Sequence, residues 1–269
     1  MSGLGDSIRG VALSLGAIAT AVDNIPVVVG PTPVLPTGID CLGGTWPSSI
    51  PYPLSLFPND TLPTSVNLGY YDRLMTHCPD GTILMIGDSI TQDLCGGKIS
   101  QFLQTFGVGG ESLRRTINRI GRGGLINRAG AVVFASGINE LSNFTSYAPY
   151  STEVLTDNMA YMHSGMAAQA TGKWIICDIL PVDEDVLVAN VSANYAGMNA
   201  KIDQANTKIR NTWSGSAAQV QFVSVKSQLI DGTGNLADTN HIDGMHLSVN
   251  GHNIFCNGIK SGLQNLGVI

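Results

Sequence analysis

Three residues able to serve as nucleophile, base and acid stand at two points of the chain. Ser89 follows the run Thr82–Gly87, five apolar or β-branched residues and a glycine, bounded upstream by Asp80 and Gly81. Such a run predicts a strand buried on both faces of a parallel sheet. In open α/β sheets chemistry gathers beyond the carboxyl ends of such strands. A serine there, at the mouth of a following helix, has backbone N–H groups around it and a hydroxyl facing the crevice. The plainer alternative is a serine that only caps the helix. Much later, Asp243 precedes His246 by three residues. One turn brings that carboxylate to the imidazole Nδ1 and leaves Nε2 free to take a serine proton. Gly110, expected to open a helix with a free N–H and no Cβ, and Asn139, just past a buried strand, are candidate donors to an oxyanion. These are the residue types that acyl transfer needs.

The elements around them alternate. Apolar runs at Ala131–Ala135, Trp174–Pro181 and Val220–Val225 predict strands, and Phe102–Phe106 a shorter one. Between them, helices are expected from Ile90 to about Gly96, over Glu111–Ile120, Thr152–Ala170 and Ala193–Trp213, with a closing helix over Val249–Leu266. Strands alternating with helices predict a three-layer αβα sandwich around a central parallel sheet. Seventeen residues lie between Ser89 and Gly107. A crossover needs about a dozen or more, so the first one closes only with a stunted helix.

Four segments now carry a resemblance. Met85–Gln92 (MIGDSITQ), Gly107–Ser112 (GVGGES), Gly137–Leu141 (GINEL) and Asp243–Ser248 (DGMHLS) resemble the four sequence blocks of the SGNH, or GDSL-type, hydrolases, in family order over about residues 70 to 266. The resemblance implies a flavodoxin-like fold and a serine esterase without metal or organic cofactor. It maps Ser89 to the nucleophile, Asp243 and His246 to acid and base, and Ser89 N–H, Gly110 and Asn139 to the oxyanion hole. Glu111 and Glu140 stand where the family often has Asp; neither position has a catalytic role there, and both are set aside. The blocks do not choose among acetylated sugars, short esters, lipids and thioesters. A short ester on a carbohydrate is favoured, because aromatic residues upstream (Trp46, Tyr52, Tyr70) offer stacking surface and no long apolar lid is evident.

The amino-terminal third is of another kind. Leu4, Ile8, Val11, Leu15, Ile18, Val22 and Ile25 repeat at alternating four- and three-residue steps, a coiled-coil seam whose β-branched d positions favour three or more strands. Gly5, Gly10 and Gly16 weaken such a helix. A secretory signal ending near Ala19–Ala21 and a helix packed on its own domain are the rival readings. Ten of the twelve prolines fall between Pro26 and Pro79, which predicts an extended connector. The expected organisation is a helix over 1–25, a connector over 26–79 and a hydrolase domain over 80–269. A homo-oligomer, most simply a trimer, follows from the seam, and so does attachment to a larger particle such as a phage tail or surface fibre. An extracellular or virion-associated location suits that picture. A glycan-binding appendage with an idle hydrolase-like domain is the alternative from another functional class.

Composition trims the rest. The net charge of −6 argues against nucleic acid, and no apolar run is long enough to span a membrane. Five scattered cysteines (Cys41, Cys78, Cys95, Cys177, Cys256) make neither a disulfide framework nor a zinc knuckle. Gly5-Asp6-Ser7 repeats the triplet of Ser89 without a preceding strand. His241 is expected to line the cleft, while His77, His163 and His252 need no special role. Asn59, Asn143 and Asn190 begin glycosylation sequons.

Overall fold

The computed structural model describes residues 80–94, 96–121, 129–144 and 152–269. All of these lie in one compact unit. The expectations for the seam, the connector, Ser7, His77, Asn59 and three of the cysteines fall outside the described residues.

Five strands form the sheet: β1 (Ile83–Gly87), β2 (Leu103–Gly107), β3 (Ala131–Ala135), β4 (Lys173–Cys177) and β5 (Gln219–Val223). All pairings are parallel and the order is β2-β1-β3-β4-β5. The helices that bear on the site are α1 (Ser89–Gln92), α2 (Leu113–Gly121), α3 (Ile138–Phe144), α4 (Thr152–Gln169), α5 (Glu184–Asn190), α6 (Met198–Trp213), α7 (Lys226–Leu229) and α8 (Val249–Asn265).

Side-chain alternation along the strands explains the layers. Leu84, Ile86, Val132, Phe134, Trp174 and Ile176 point to one face and pack with Met159, Met166, Ile202 and Ile209 of α4 and α6. Ile83, Met85, Val133, Ile175 and Cys177 point to the other and meet Phe255, Ile259 and Leu263 of α8. With both faces covered, every residue of β1 and β3 is buried, which is why these strands read as unbroken apolar runs. Each fully buried aliphatic side chain contributes about 1.5–3 kcal/mol.

The chain leaves β1 for β2 on one side and later returns to β3 on the other. That reversal opens a crevice at the carboxyl end of β1. The first crossover is stunted as expected: a four-residue α1, then a 3-10 turn over Gly96–Lys98. It fits because Gly107 ends β2. A Cβ there would stand 2.0 Å from the Gln92 backbone nitrogen.

Several boundaries differ from expectation. The fourth strand stops at Cys177, not Pro181, because two α6 side chains replace its neighbour. Asn206 accepts from Ile179 N–H and donates to Ile179 C=O, at 2.8 and 2.9 Å. Asn199 does the same for Val182, at 2.9 Å both ways. Helix α6 begins at Met198 because Gly197 adopts a left-handed conformation, and Ala193–Tyr195 is a separate 3-10 turn. The helices α3 and α5 were not anticipated. His163 is a buried structural residue: Trp213 donates its indole N–H to Nδ1 at 3.0 Å, and burial pushes the imidazole pKa down to about 3. Among the described residues, no helix is long and apolar enough to cross a membrane.

Candidate active site

Ser89 is the first residue of α1, directly beyond β1. Asp88 caps that helix with its side chain, accepting from Ile90 N–H at 3.2 Å. The plain capping role therefore belongs to Asp88, and the Ser89 hydroxyl is left to face His246. The Ser89 Oγ to His246 Nε2 distance is 3.0 Å. On the other side of the ring, Nδ1 lies 2.6 Å from Asp243 Oδ2. The second oxygen of Asp243 accepts from Met245 N–H and His246 N–H, at 3.0 and 2.7 Å. Burial tends to raise the Asp243 pKa, but the His246 ring and these two N–H groups outweigh it and hold the carboxyl below its usual value. An ionised Asp243 fixes the Nδ1–H tautomer and leaves Nε2 as an acceptor for the serine proton.

The residues expected to hold an oxyanion sit on two adjoining loops. Helix α2 starts at Leu113, two residues later than expected, so Gly110 does not open it. It lies instead in an exposed turn with φ of +69°. Among the described residues, neither Ser89 N–H nor Gly110 N–H has a protein acceptor. Asn139, the second residue of α3, donates from Nδ2 to the Glu111 backbone carbonyl at 3.0 Å. An amide nitrogen carries two hydrogens, so one remains for a substrate oxygen. The neighbouring loop is tied back to α1, where Gln92 Oε1 accepts from Gly109 N–H at 2.6 Å.

Beneath these loops lie three buried carboxyl side chains: Asp88, Glu111 and Glu140. Glu140 reaches across to α2 and accepts from Leu113 N–H at 2.5 Å and Arg114 N–H at 3.4 Å. It caps that helix from another element. Burial pushes Glu140 up to about 8 against these hydrogen bonds, with the Asp88 charge adding to the rise. Asp88 is pushed up to about 7, again chiefly by burial, with Glu111 contributing. Glu111 itself accepts from Thr116 Oγ1 at 3.0 Å. Both positions set aside in the sequence therefore belong to the framework of the site.

His241 does not line the cleft. Its side chain is 8% exposed and pairs through Nε2 with Asp183 Oδ2 at 3.1 Å. With Asp238 these two form the one group of metal-type donors close enough to share a cation among the described residues. Both ring nitrogens of His241 already have partners, since Nδ1 accepts from Gly244 N–H at 2.9 Å. The donor set does not fit a cation.

A cavity of about 280 Å³ lies between β5 and α8, lined by Gln221, Ser224, Asn257 and Ser261, away from Ser89. Beside α1 is a recess of about 20 Å³ bounded by Ile90, Ile138, Ile179 and Leu180, with Asp88 and Ser136. The chemistry is placed by the hydrogen-bonded groups and not by cavity size.

No family model and no curated protein sequence matches the chain. Solved structures do. A GDSL-like lipase from Bacteroides thetaiotaomicron superposes with a TM-score of 0.57 at 17% identity, covering 74% of this chain and 98% of that one. A Streptococcus pneumonia protein provisionally described as a platelet activating factor gives 0.56 at 22% identity, over 73% and 90%. A lipase/acylhydrolase from Enterococcus faecalis gives 0.50 at 17% identity, over 69% and 96%. The chain has the fold of the SGNH/GDSL-type hydrolases.

Proposed function

We propose that the protein is a serine esterase that removes a short acyl group, most simply acetyl, from a carbohydrate ester. His246 Nε2 takes the Ser89 proton as Oγ attacks the ester carbonyl carbon. The oxyanion receives the N–H groups of Ser89 and Gly110 and the free amide hydrogen of Asn139. The intermediate collapses, the C–O bond to the alcohol breaks, and His246 returns the proton to the departing oxygen. Water then attacks the acyl-serine as His246 takes its proton, the acyl–Oγ bond breaks, His246 returns the proton to Ser89 Oγ and the acid is released.

The observation that carries this proposal is the unbroken line Asp243–His246–Ser89, with contacts of 2.6 and 3.0 Å. The fold supports it, since the line stands at the carboxyl end of β1, where the sheet order reverses. The short-acyl preference rests on the stunted first crossover and on a neighbouring recess of about 20 Å³. The carbohydrate preference rests on the aromatic residues between Trp46 and Tyr71. Hydrolysis of p-nitrophenyl acetate by wild type and by Ser89→Ala is the test. Turnover abolished in the variant supports the assignment, and equal turnover removes it.

The apolar seam of residues 4–25 supports a homotrimer that displays the esterase on a larger extracellular or virion-associated particle. Loss of the oligomer on deleting the seam is the corresponding test.

A further inference from the structure

The segment bearing Asp243 and His246 is a surface loop, and Asp243 is itself half exposed. Three hydrogen bonds hold the peptide between the acid and the base, and they close into a ring. Asp183 N–H donates to Gly244 C=O at 2.7 Å. Gly244 N–H donates to His241 Nδ1 at 2.9 Å. His241 Nε2 meets Asp183 Oδ2 at 3.1 Å. Because Nδ1 accepts, the ring proton of His241 must be on Nε2, and it donates to the carboxylate. Asp183 Oδ1 caps α5 through Val186 N–H at 3.1 Å, so the ring is anchored to a helix outside the loop. Gly244 has φ of +90°, and a Cβ there would stand 3.0 Å from Val186. The loop is therefore pressed against α5 at the point where the ring grips it.

We infer that His241 and Asp183 form a second, non-reacting histidine–carboxylate pair that positions the Asp243–His246 loop, in the opposite tautomer to His246. This rests on the esterase proposal above. His241 touches no reacting atom; it acts through Gly244 on the direction of the Asp243 carboxylate. The exposed Asp238 Oδ1, 3.8 Å from His241 Nε2, flanks the pair without closing the ring.

The two nitrogens of His241 can be tested separately. His241→Asn keeps an acceptor at the Nδ1 position for Gly244 but gives up the reach to Asp183. His241→Gln does the reverse. Asp183→Asn keeps one acceptor, for either Val186 or His241; in every arrangement one donor is left facing another. Kinetics with p-nitrophenyl acetate, melting temperatures, and long-range ¹H–¹⁵N spectra of the wild-type imidazoles at pH 8 form the experiment, with His241→Asn used to assign the signal.

The wild type should show His241 as the Nε2–H tautomer. His241→Gln and Asp183→Asn should lose roughly 10- to 100-fold in kcat, the scale of an ångström-sized misplacement. KM should stay within about twofold in all three, and His241→Asn, which keeps the Gly244 contact and loses only the one to Asp183, should fall between the wild type and His241→Gln in kcat. An Nδ1–H tautomer, or equal kcat for His241→Gln and His241→Asn, overturns the inference. So do losses that follow the melting temperature across all three variants. If a variant fails to fold, the signal is assigned from whichever His241 variant folds, and the wild-type tautomer still decides. A wild type with no esterase activity would count against the esterase proposal, while the spectrum would still report on the ring.

Discussion

The side-chain amide of Asn139 and the backbone carbonyl of Glu111 are joined by a 3.0 Å hydrogen bond, which locks α3 to the loop that carries Gly110. The two groups proposed as oxyanion donors, from separate elements, are thereby set in one frame before any substrate arrives, which is what preorganisation requires. Replacing Asn139 with Ala should lower kcat by roughly 10²–10³ and leave KM nearly unchanged, since the donor acts mainly on the transition state. Steady-state kinetics on p-nitrophenyl acetate check this. A rise in KM alone would make Asn139 a substrate-binding residue.

Glu140 supplies a pH signature. Its ordinary value of 4.5 is raised to about 8 by burial. Between those values the folded protein keeps a proton that the unfolded chain has released. Stability from this group is therefore greatest at low pH, falls as pH rises through the window, and levels off above about 8. Glu140→Gln removes the charge that must be buried. Whatever fixed cost the amide brings, denaturation from pH 5 to 9 should show the variant gaining on the wild type as pH rises. A difference independent of pH would contradict the assignment.

How far the site was legible depends on how local each residue's role is. Ser89 is announced by its own strand, and Asp243 and His246 by a spacing of three. Glu140 and Glu111 gave no such sign, because their meaning comes from burial against elements more than twenty residues away. The same holds for Asp183 and His241, 58 positions apart. A signal for Asp183 did exist: it is an Asp followed by Glu184 and Asp185 just past the apolar run that ends at Pro181, an N-cap pattern. The parallel sheet was readable because both faces of its central strands β1 and β3 are covered and those strands read as unbroken apolar runs. The end of β4 was not, since Ile179, Leu180 and Val182 are as buried as strand residues, and only the distant amides of Asn199 and Asn206 show that the ladder has stopped.

Acyl preference should be steep. The four-residue α1 and the small recess beside it leave little wall for a long chain. Values of kcat/KM for p-nitrophenyl acetate, butyrate and octanoate should fall in that order. Faster turnover of octanoate would point to a lipase-like or thioesterase enzyme.

Deleting residues 1–25 should separate assembly from chemistry. Light scattering should give a trimer for the full chain and a monomer for the truncated one, with kcat retained, because Ser89, Asp243 and His246 all lie downstream. A monomeric full chain would end the trimer proposal.

Ser89 is proposed as the nucleophile, activated by His246. The direct measurement is intact-mass and peptide mapping after treatment with a fluorophosphonate, which serine Oγ attacks at phosphorus with loss of fluoride. One adduct per chain is expected, on the peptide containing Ser89. It should be unchanged in Ser7→Ala, absent in Ser89→Ala and strongly slowed in His246→Ala. An adduct on another residue, or full labelling of Ser89→Ala, would contradict it.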